Sequence, residues 1–350
     1  MNELDKIRQG THLWVKDIKA DDRISGLYMA KMKRLGLTKK GDPYLSVTLA
    51  DRTGAIEGRV WERAEELSPL FEEGDILHVE GYSSSYRNQI QVTLSSLRLA
   101  EGDINPTLFL ESTAKDISEM MKSLRDILKE IQHSQLKTLV ERFLSDHEFV
   151  SLFKKAPAAK NFHHGYLGGL LEHTLSVCQL SKAVAAHYPE LDKDLLLAGA
   201  FLHDIGKVKE YKYHVQIDYT DEGRLLGHMI LGIAMVDDRL ATVKDFPYEL
   251  ALRLKHLILS HHGQYDFGSP KRPKFLEAFA LHLVDDLDAK MNGLSRFMKR
   301  DRQEGAWTEF HRLFDRHFLK GKIELDGPKS DPEAYYEEDK QKGLFSGKIV

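Results

Sequence analysis

The hydrophobic period of this chain changes once, and that change limits what it can fold into. From about Ile24 to Leu99, apolar and polar residues alternate through short runs, GLYMAKM, YLSVTLAD, AIEGRVW, DILHVEGYSS and NQIQVTLSSL. Period two places one face of a strand in a core and the other in water. From Asn105 onward the apolar residues recur at the spacing of one helix face, in DISEMMKSLRDILKEIQ and then nearly continuously to about Leu319. At 350 residues the chain also exceeds what one core of ordinary size serves, so two or more domains are expected.

The turn signals Gly41-Asp42-Pro43, Arg52-Thr53-Gly54, Glu73-Gly74-Asp75 and Arg87-Asn88 separate the strands, and ERAEELSPLF supplies a short helix between the third and fourth. Five strands with one helix in that place is the order of an OB barrel, with a generic small β-barrel as the competing arrangement. The expected fold is thus multidomain, an N-terminal OB-like β-barrel followed by an all-α domain. The linker EGDINPT marks the boundary. We assign 1–104 to the barrel, 105–160 to a helical connector, 161–320 to the main helical domain and 321–350 to a polar tail.

In FLHDIGK, residues 201–207, a histidine and an aspartate close the apolar run from Leu195 to Leu202. Both are costly to desolvate, so they form either a buried charge pair or two ligands of a metal ion. Similar residues edge the other apolar stretches: His173, His228, His261 with His262, and Asp285. A lone histidine on an apolar face is more often a satisfied core residue than a ligand. Repetition through one helical domain changes that balance, because one or two cations satisfy the whole set together. Imidazole with carboxylate suits Mn, Co, Fe, Ni or Zn better than Mg or Ca. Neighbouring helical residues point about 100° apart, so His203 and Asp204 share an ion only at a helix end, which Gly206 is expected to supply. Lys207 then lies one turn on, within reach of an anionic substrate.

These segments resemble the HD superfamily of metal-dependent phosphohydrolases, in the pattern His173, His203-Asp204 and Asp285. Four blocks in order, PAAKNFHHGYLGGLLEHTLSV, FLHDIGK, HHGQYDFGSPKRP and EAFALHLVDDLDAKM, behind an OB-like domain, resemble the YhaM-type 3′-to-5′ exoribonucleases. Cyclic-dinucleotide phosphodiesterases are similar at HHGQYDFGSP, but Gly263 and Gly268-Ser269-Pro270 depart from their motifs. The resemblance implies a metal set of His173, His203, Asp204 and Asp285, with His228 and His261 for a second ion and Asp204 bridging. Asp204 and Lys207 are then catalytic, with manganese as the foremost metal. His262 is a ligand or an outer partner. His164 is a further outer partner or, with His163, lines the substrate entrance or forms a polar turn before Gly168. Asp286 and Asp288 read as surface or outer groups, and His256, His282 and Gly168-Gly169 as packing features. Attack from the 3′ end, releasing nucleoside 5′-monophosphates, is implied as well.

In KMKRLGLTKK, between the first and second expected strands, Lys31, Lys33, Arg34, Lys39 and Lys40 form a basic loop in a chain of net charge -4. OB barrels use that loop on nucleic acid. Trp61, Tyr44, Tyr82, Tyr86, Arg87 and Asn88 add stacking and polar groups. The expected partner is single-stranded RNA, with single-stranded DNA second; homo-oligomerisation stays open. Cys178 stands alone, excluding internal disulfides and thiolate clusters, and no apolar run approaches the roughly 20 residues that span a bilayer. With no signal-like N-terminus, a cytoplasmic location is expected. Two other functions remain: a nucleotide or cyclic-nucleotide phosphohydrolase with a regulatory barrel, and a single-strand-binding protein without chemistry.

Overall fold

The computed structural model describes residues 12–86, 89–102, 104–160, 162–213, 216–301, 303 and 305–321. Arg87, Asn88, the side chain of Tyr86 and, apart from Gly321, the expected tail lie outside the described residues. Strands β1 (Arg23–Leu37), β2 (Pro43–Asp51), β3 (Gly54–Val60), β4 (Ile76–Tyr86) and β5 (Gln89–Leu99) close a barrel in the order β1-β2-β3-β5-β4. The β3–β5 pair is parallel and the others are antiparallel. Helix α1 (Ala64–Leu67) and a 3-10 turn, Ser68–Leu70, join β3 to β4, which is the OB arrangement. Alternation fills its core: Leu45, Val47 and Leu49 from β2 meet Leu77 and Val79 from β4 and Val92 from β5.

The basic loop is a correction. Pairing of β1 with β2 continues to Leu37 opposite Pro43, so Lys31, Lys33 and Arg34 are strand residues and only Lys39 and Lys40 lie in the connection. A bulge between Ala30 and Met32 shifts the alternation, and beyond it both faces of β1 carry exposed side chains. Lys33 turns back onto the barrel. Its Nζ donates to the carbonyls of Ser68 (3.0 Å) and Phe71 (2.5 Å), pairs with Glu72 (3.1 Å) and lies over the Phe71 ring.

The helical part contains α2 (Ile117–Leu128), α3 (Ser134–Ser145), α4 (His147–Lys155), α5 (Gly169–His187), α6 (Lys193–Leu202), α7 (Lys207–Glu210), α8 (Asp221–Leu240), α9 (Tyr248–Ser260) and α10 (Leu276–Arg300). Side chains of Asp116, Asp146, Asp192 and Thr220 accept backbone N–H groups at the starts of α2, α4, α6 and α8. Leu124, Leu136, Phe143 and Phe153 from α2 to α4 share one core with Leu170, Phe201, Leu257 and Leu281. All eight residues from Leu195 to Leu202 are buried, which explains why polar groups at the end of α6 are buried too. The domain is not wholly helical. A hairpin of β6 (Tyr211–Tyr213) and β7 (Ile217–Tyr219) interrupts it.

The described residues from Leu294 onward belong to a second compact unit. Helix ends there at Arg300 rather than near Leu319. The following segment instead makes bridges between Trp307 and Leu319 and between His311 and Arg316, around the rings of His311, Phe314 and Phe318.

Candidate metal centre

Five helices deliver the candidate ligands. His173 lies in the second turn of α5, and α6 ends at Leu202 with His203 as its cap and Asp204 in the turn beyond. Gly206 does not end that helix by a left-handed turn, since its φ is -62°. It is small for another reason: a Cβ there would stand 2.0 Å from the His228 carbonyl, so α8 packs directly on this turn. His228 follows the kink of α8 at Gly227. His261 caps α9 and His262 follows it. Asp285 and Asp288 lie one turn apart on α10.

Asp204 stands at the centre, 1% exposed. Its Oδ2 lies 3.4 Å from His203 Nε2, 3.5 Å from His173 Nε2 and 2.6 Å from Lys207 Nζ. Its Oδ1 faces the other way, 3.5 Å from both His228 Nε2 and His261 Nε2. Asp285 Oδ1 completes the first group, 3.1 Å from His173 Nε2 and 3.8 Å from His203 Nε2. His262 joins His228 and His261, their donor atoms all within 4.8 Å of one another.

The remaining ring nitrogens decide the tautomers. Nδ1 of His203 lies 2.9 Å from the Ala200 carbonyl, that of His261 2.7 Å from Ile258, and that of His262 3.0 Å from Phe267. Carbonyls only accept, so each Nδ1 carries the proton and, in the neutral ring, Nε2 keeps a lone pair. His173 and His228 use carboxylates likewise: Nδ1 to Asp288 Oδ2 at 2.7 Å and to Glu210 Oε1 at 3.1 Å. Asp204 Oδ1, His228 Nε2 and His261 Nε2 are buried with no hydrogen-bond partner among the described residues. Three acceptors facing one another repel unless a cation lies among them, so the donor set fits a metal ion.

Charge agrees with this. Burial alone would raise the Asp204 carboxyl, but Lys207 and His203 beside it hold it well below the usual carboxylate range. Burial would likewise lower the His173 imidazole, yet Asp204, Asp285 and Asp288 hold it well above its ordinary value. Burial, then His261 and His228, push His262 down to about 2. A proton is the smallest cation such a site retains.

Sequence reasoning missed Glu210 and left Asp288 between surface and outer roles. Glu210 also accepts the His228 backbone N–H at 2.9 Å, and both acids are buried. A signal existed, since Asp288 is three residues past Asp285 and Glu210 three past Lys207. Of the readings for His164, the contact with Asp288 fits the outer partner and not an open entrance residue, its Nε2 lying 3.0 Å from Oδ2. Burial, then Lys207, push His163 down to about 3, and its Nδ1 has no hydrogen-bond partner among the described residues. His282 donates from Nδ1 to the His261 carbonyl at 2.9 Å, and His256 Nε2 accepts from the Lys274 N–H, so both support the fold. Asp286 pairs with Lys290 at the surface.

On the barrel, the rings of Tyr44 and Trp61 lie 5.5 Å apart, and the Arg59 guanidinium is 5.7 Å and 5.6 Å from them. Trp61 is 44% exposed and Tyr82 58%, whereas Lys31, Arg34, Lys39 and Lys40 are exposed cations. Arg59 was not foreseen, although it stands two residues before Trp61 and so on the same strand face.

Residues 170–290 match the HD domain family, and residues 14–100 match an OB-fold nucleic acid binding domain. A helicase family matches residues 113–189. The 3′-5′ exoribonuclease YhaM of Bacillus subtilis is 35% identical over 302 residues, 85% of this chain and 95% of that protein. YhaM of Halalkalibacterium halodurans is 33% identical over 302 residues, 85% of this chain and 93% of its own length. YhaM of a Geobacillus species is 34% identical over 302 residues, with 85% and 92% covered. At that identity and coverage, the chain belongs to the YhaM family of 3′-5′ exoribonucleases.

Proposed function

We propose that this protein is a metal-dependent exoribonuclease that shortens single-stranded RNA from its 3′ end and releases nucleoside 5′-monophosphates. The observation that carries the reading is the convergence on Asp204, whose two oxygens face two separate groups of imidazoles. His173, His203, Asp204 and Asp285 would hold one divalent ion. Asp204, His228 and His261 would hold a second, with His262 as a further donor. When bound, such ions supply Lewis-acid neutralisation of phosphate charge and lower the pKa of water to near neutrality. The mixed nitrogen and oxygen donors suit transition ions better than Mg or Ca, and we take manganese as the foremost candidate, with Co, Fe, Ni and Zn as alternatives.

Lys207 holds Asp204 through a buried contact and keeps its carboxylate oriented and ionised. Its positive charge also stabilises a phosphate brought to that carboxylate. The barrel gathers the strand: Trp61 and Tyr44 offer ring faces to bases of any identity, and Arg59, Lys31, Arg34, Lys39 and Lys40 attract the backbone. Single-stranded DNA is a second substrate, because ring stacking makes no use of a 2′-hydroxyl. Among the described residues no helix is long and apolar enough to cross a membrane. The protein acts in the cytoplasm, where single-stranded RNA is plentiful and a lone thiol such as Cys178 stays reduced.

A digestion time course with 5′-labelled single-stranded RNA, in a panel of divalent metals, tests this. The label should stay on progressively shorter fragments as 5′-monophosphates accumulate, fastest with manganese. Early release of the label as a mononucleotide would overturn the polarity. Cleavage of a circular strand, or turnover of free nucleotides but not strands, would overturn the exonuclease assignment.

A further inference from the structure

Behind His173 runs a buried polar chain that none of the proposed ligand roles uses. Asp288 Oδ2 receives both His173 Nδ1 (2.7 Å) and His164 Nε2 (3.0 Å), while Ser176 Oγ bonds to Oδ1. His164 Nδ1 meets the Tyr166 hydroxyl at 3.0 Å, which lies 3.0 Å from Glu172 Oε2. Thr113 Oγ1 and Lys115 Nζ close the chain on Glu172, at 2.6 Å and 3.0 Å. The path therefore leads from a candidate ligand to the segment before α2.

The backbone holds His164 in an unusual conformation. Its φ is +45°, a left-handed conformation that a residue with a Cβ adopts at a cost. Three groups fix it there. Its N–H donates to Asn292 Oδ1 (2.9 Å), and its carbonyl accepts from the N–H groups of Ala158 (3.1 Å) and Tyr166 (2.9 Å). The chain leaves room for that carbonyl with Gly169, where a Cβ would come within 2.0 Å of it. Asn292 lies two turns past Asp285 on α10, so one helix supplies a candidate ligand, the carboxylate behind His173 and the anchor of His164.

Resting on the metal-centre reading above, we propose that His164 is a positioning residue for the centre. By donating to Asp288 it fixes the carboxylate that holds His173 Nδ1–H, and so keeps the His173 Nε2 lone pair aimed at Asp204 and Asp285. Without His164, Ser176 still holds Asp288 Oδ1, but Oδ2 keeps only the His173 Nδ1–H, and carboxylate and imidazole gain freedom to shift together. Polar partners behind a histidine ligand typically contribute about 10- to 100-fold in metal affinity.

The test is direct manganese binding to the full chain without RNA, followed by electron paramagnetic resonance of the free ion. His164→Ala should weaken manganese binding about 10- to 100-fold. His164→Gln, whose amide donates near the position of Nε2, should recover most of it, and Tyr166→Phe should fall between. Equal loss in His164→Ala and His164→Gln, or wild-type affinity in a folded His164→Ala protein, overturns the proposal. Wild-type protein that binds no manganese or other transition metal defeats the metal-centre reading itself, a different result from wild-type binding that the variants share.

Discussion

The candidate metal centre and the barrel face handle polar groups in opposite ways. At the centre His173, His203, Asp204 and His261 are buried, and each of these imidazoles has its second nitrogen committed to a carbonyl or carboxylate. On the barrel, Trp61 and the lysines of the β1–β2 ribbon and its turn lie in solvent, Lys33 excepted. A buried, mutually dependent set loses its function when one member goes, because the remainder faces an uncompensated charge. A solvated face loses a fraction with each residue. On the proposed function, the chain concentrates its chemistry and distributes its grip.

The largest effect should come from the residue on which both imidazole groups depend. Asp204→Ala should abolish RNA hydrolysis in any metal, while affinity for single-stranded RNA, measured by fluorescence anisotropy with the metal chelated, stays close to wild type. Turnover above a tenth of the wild-type rate would show that the two imidazole groups work independently of this carboxylate. A parallel collapse of RNA binding would show that the centre and the barrel face are not separable.

That separability bears on what the sequence disclosed. The barrel was legible because period two and its turn signals act residue by residue, and each of the five strands needs its own apolar face. The extension of β1 was not, since a ribbon standing clear of the core imposes no apolar pattern, and Lys31, Lys33 and Arg34 therefore resembled a loop. Candidate ligands stood out because each is a polar residue interrupting an apolar run. Their supports did not: Asp286 and Asp288 belong to the same short stretch, and only the facing of α10 makes one a surface partner of Lys290 and the other a buried partner of His173. Glu210 and Asn292 sit in amphipathic segments where a polar residue in water looks the same in sequence.

A smaller effect is expected on the barrel. Trp61→Ala should weaken single-strand binding by about 1–3 kcal/mol, the usual contribution of one stacked base. The rate at saturating RNA should hold, since the residue takes no part in the buried centre. Unchanged affinity would mean that Tyr44, Trp61 and Arg59 pack only on one another.

The smallest effect separates two kinds of lysine in what read as one basic loop. Lys39 and Lys40 are exposed in the turn between β1 and β2, so replacing both with alanine should remove two phosphate contacts and flatten the salt dependence of RNA binding by roughly 1.4, at about 0.7 per contact for single strands. Lys33 differs, because its ammonium is already committed to the carbonyls of Ser68 and Phe71 and to Glu72, with its side chain 16% exposed. Lys33→Ala should leave the salt slope alone and instead destabilise the barrel, by about 1.5–3 kcal/mol if its charged hydrogen bonds have the usual strength. Denaturant unfolding alongside a salt titration of RNA affinity distinguishes the two. A changed slope without lost stability in Lys33→Ala would return that lysine to the nucleic-acid face, and the whole β1–β2 ribbon would then act as one basic surface.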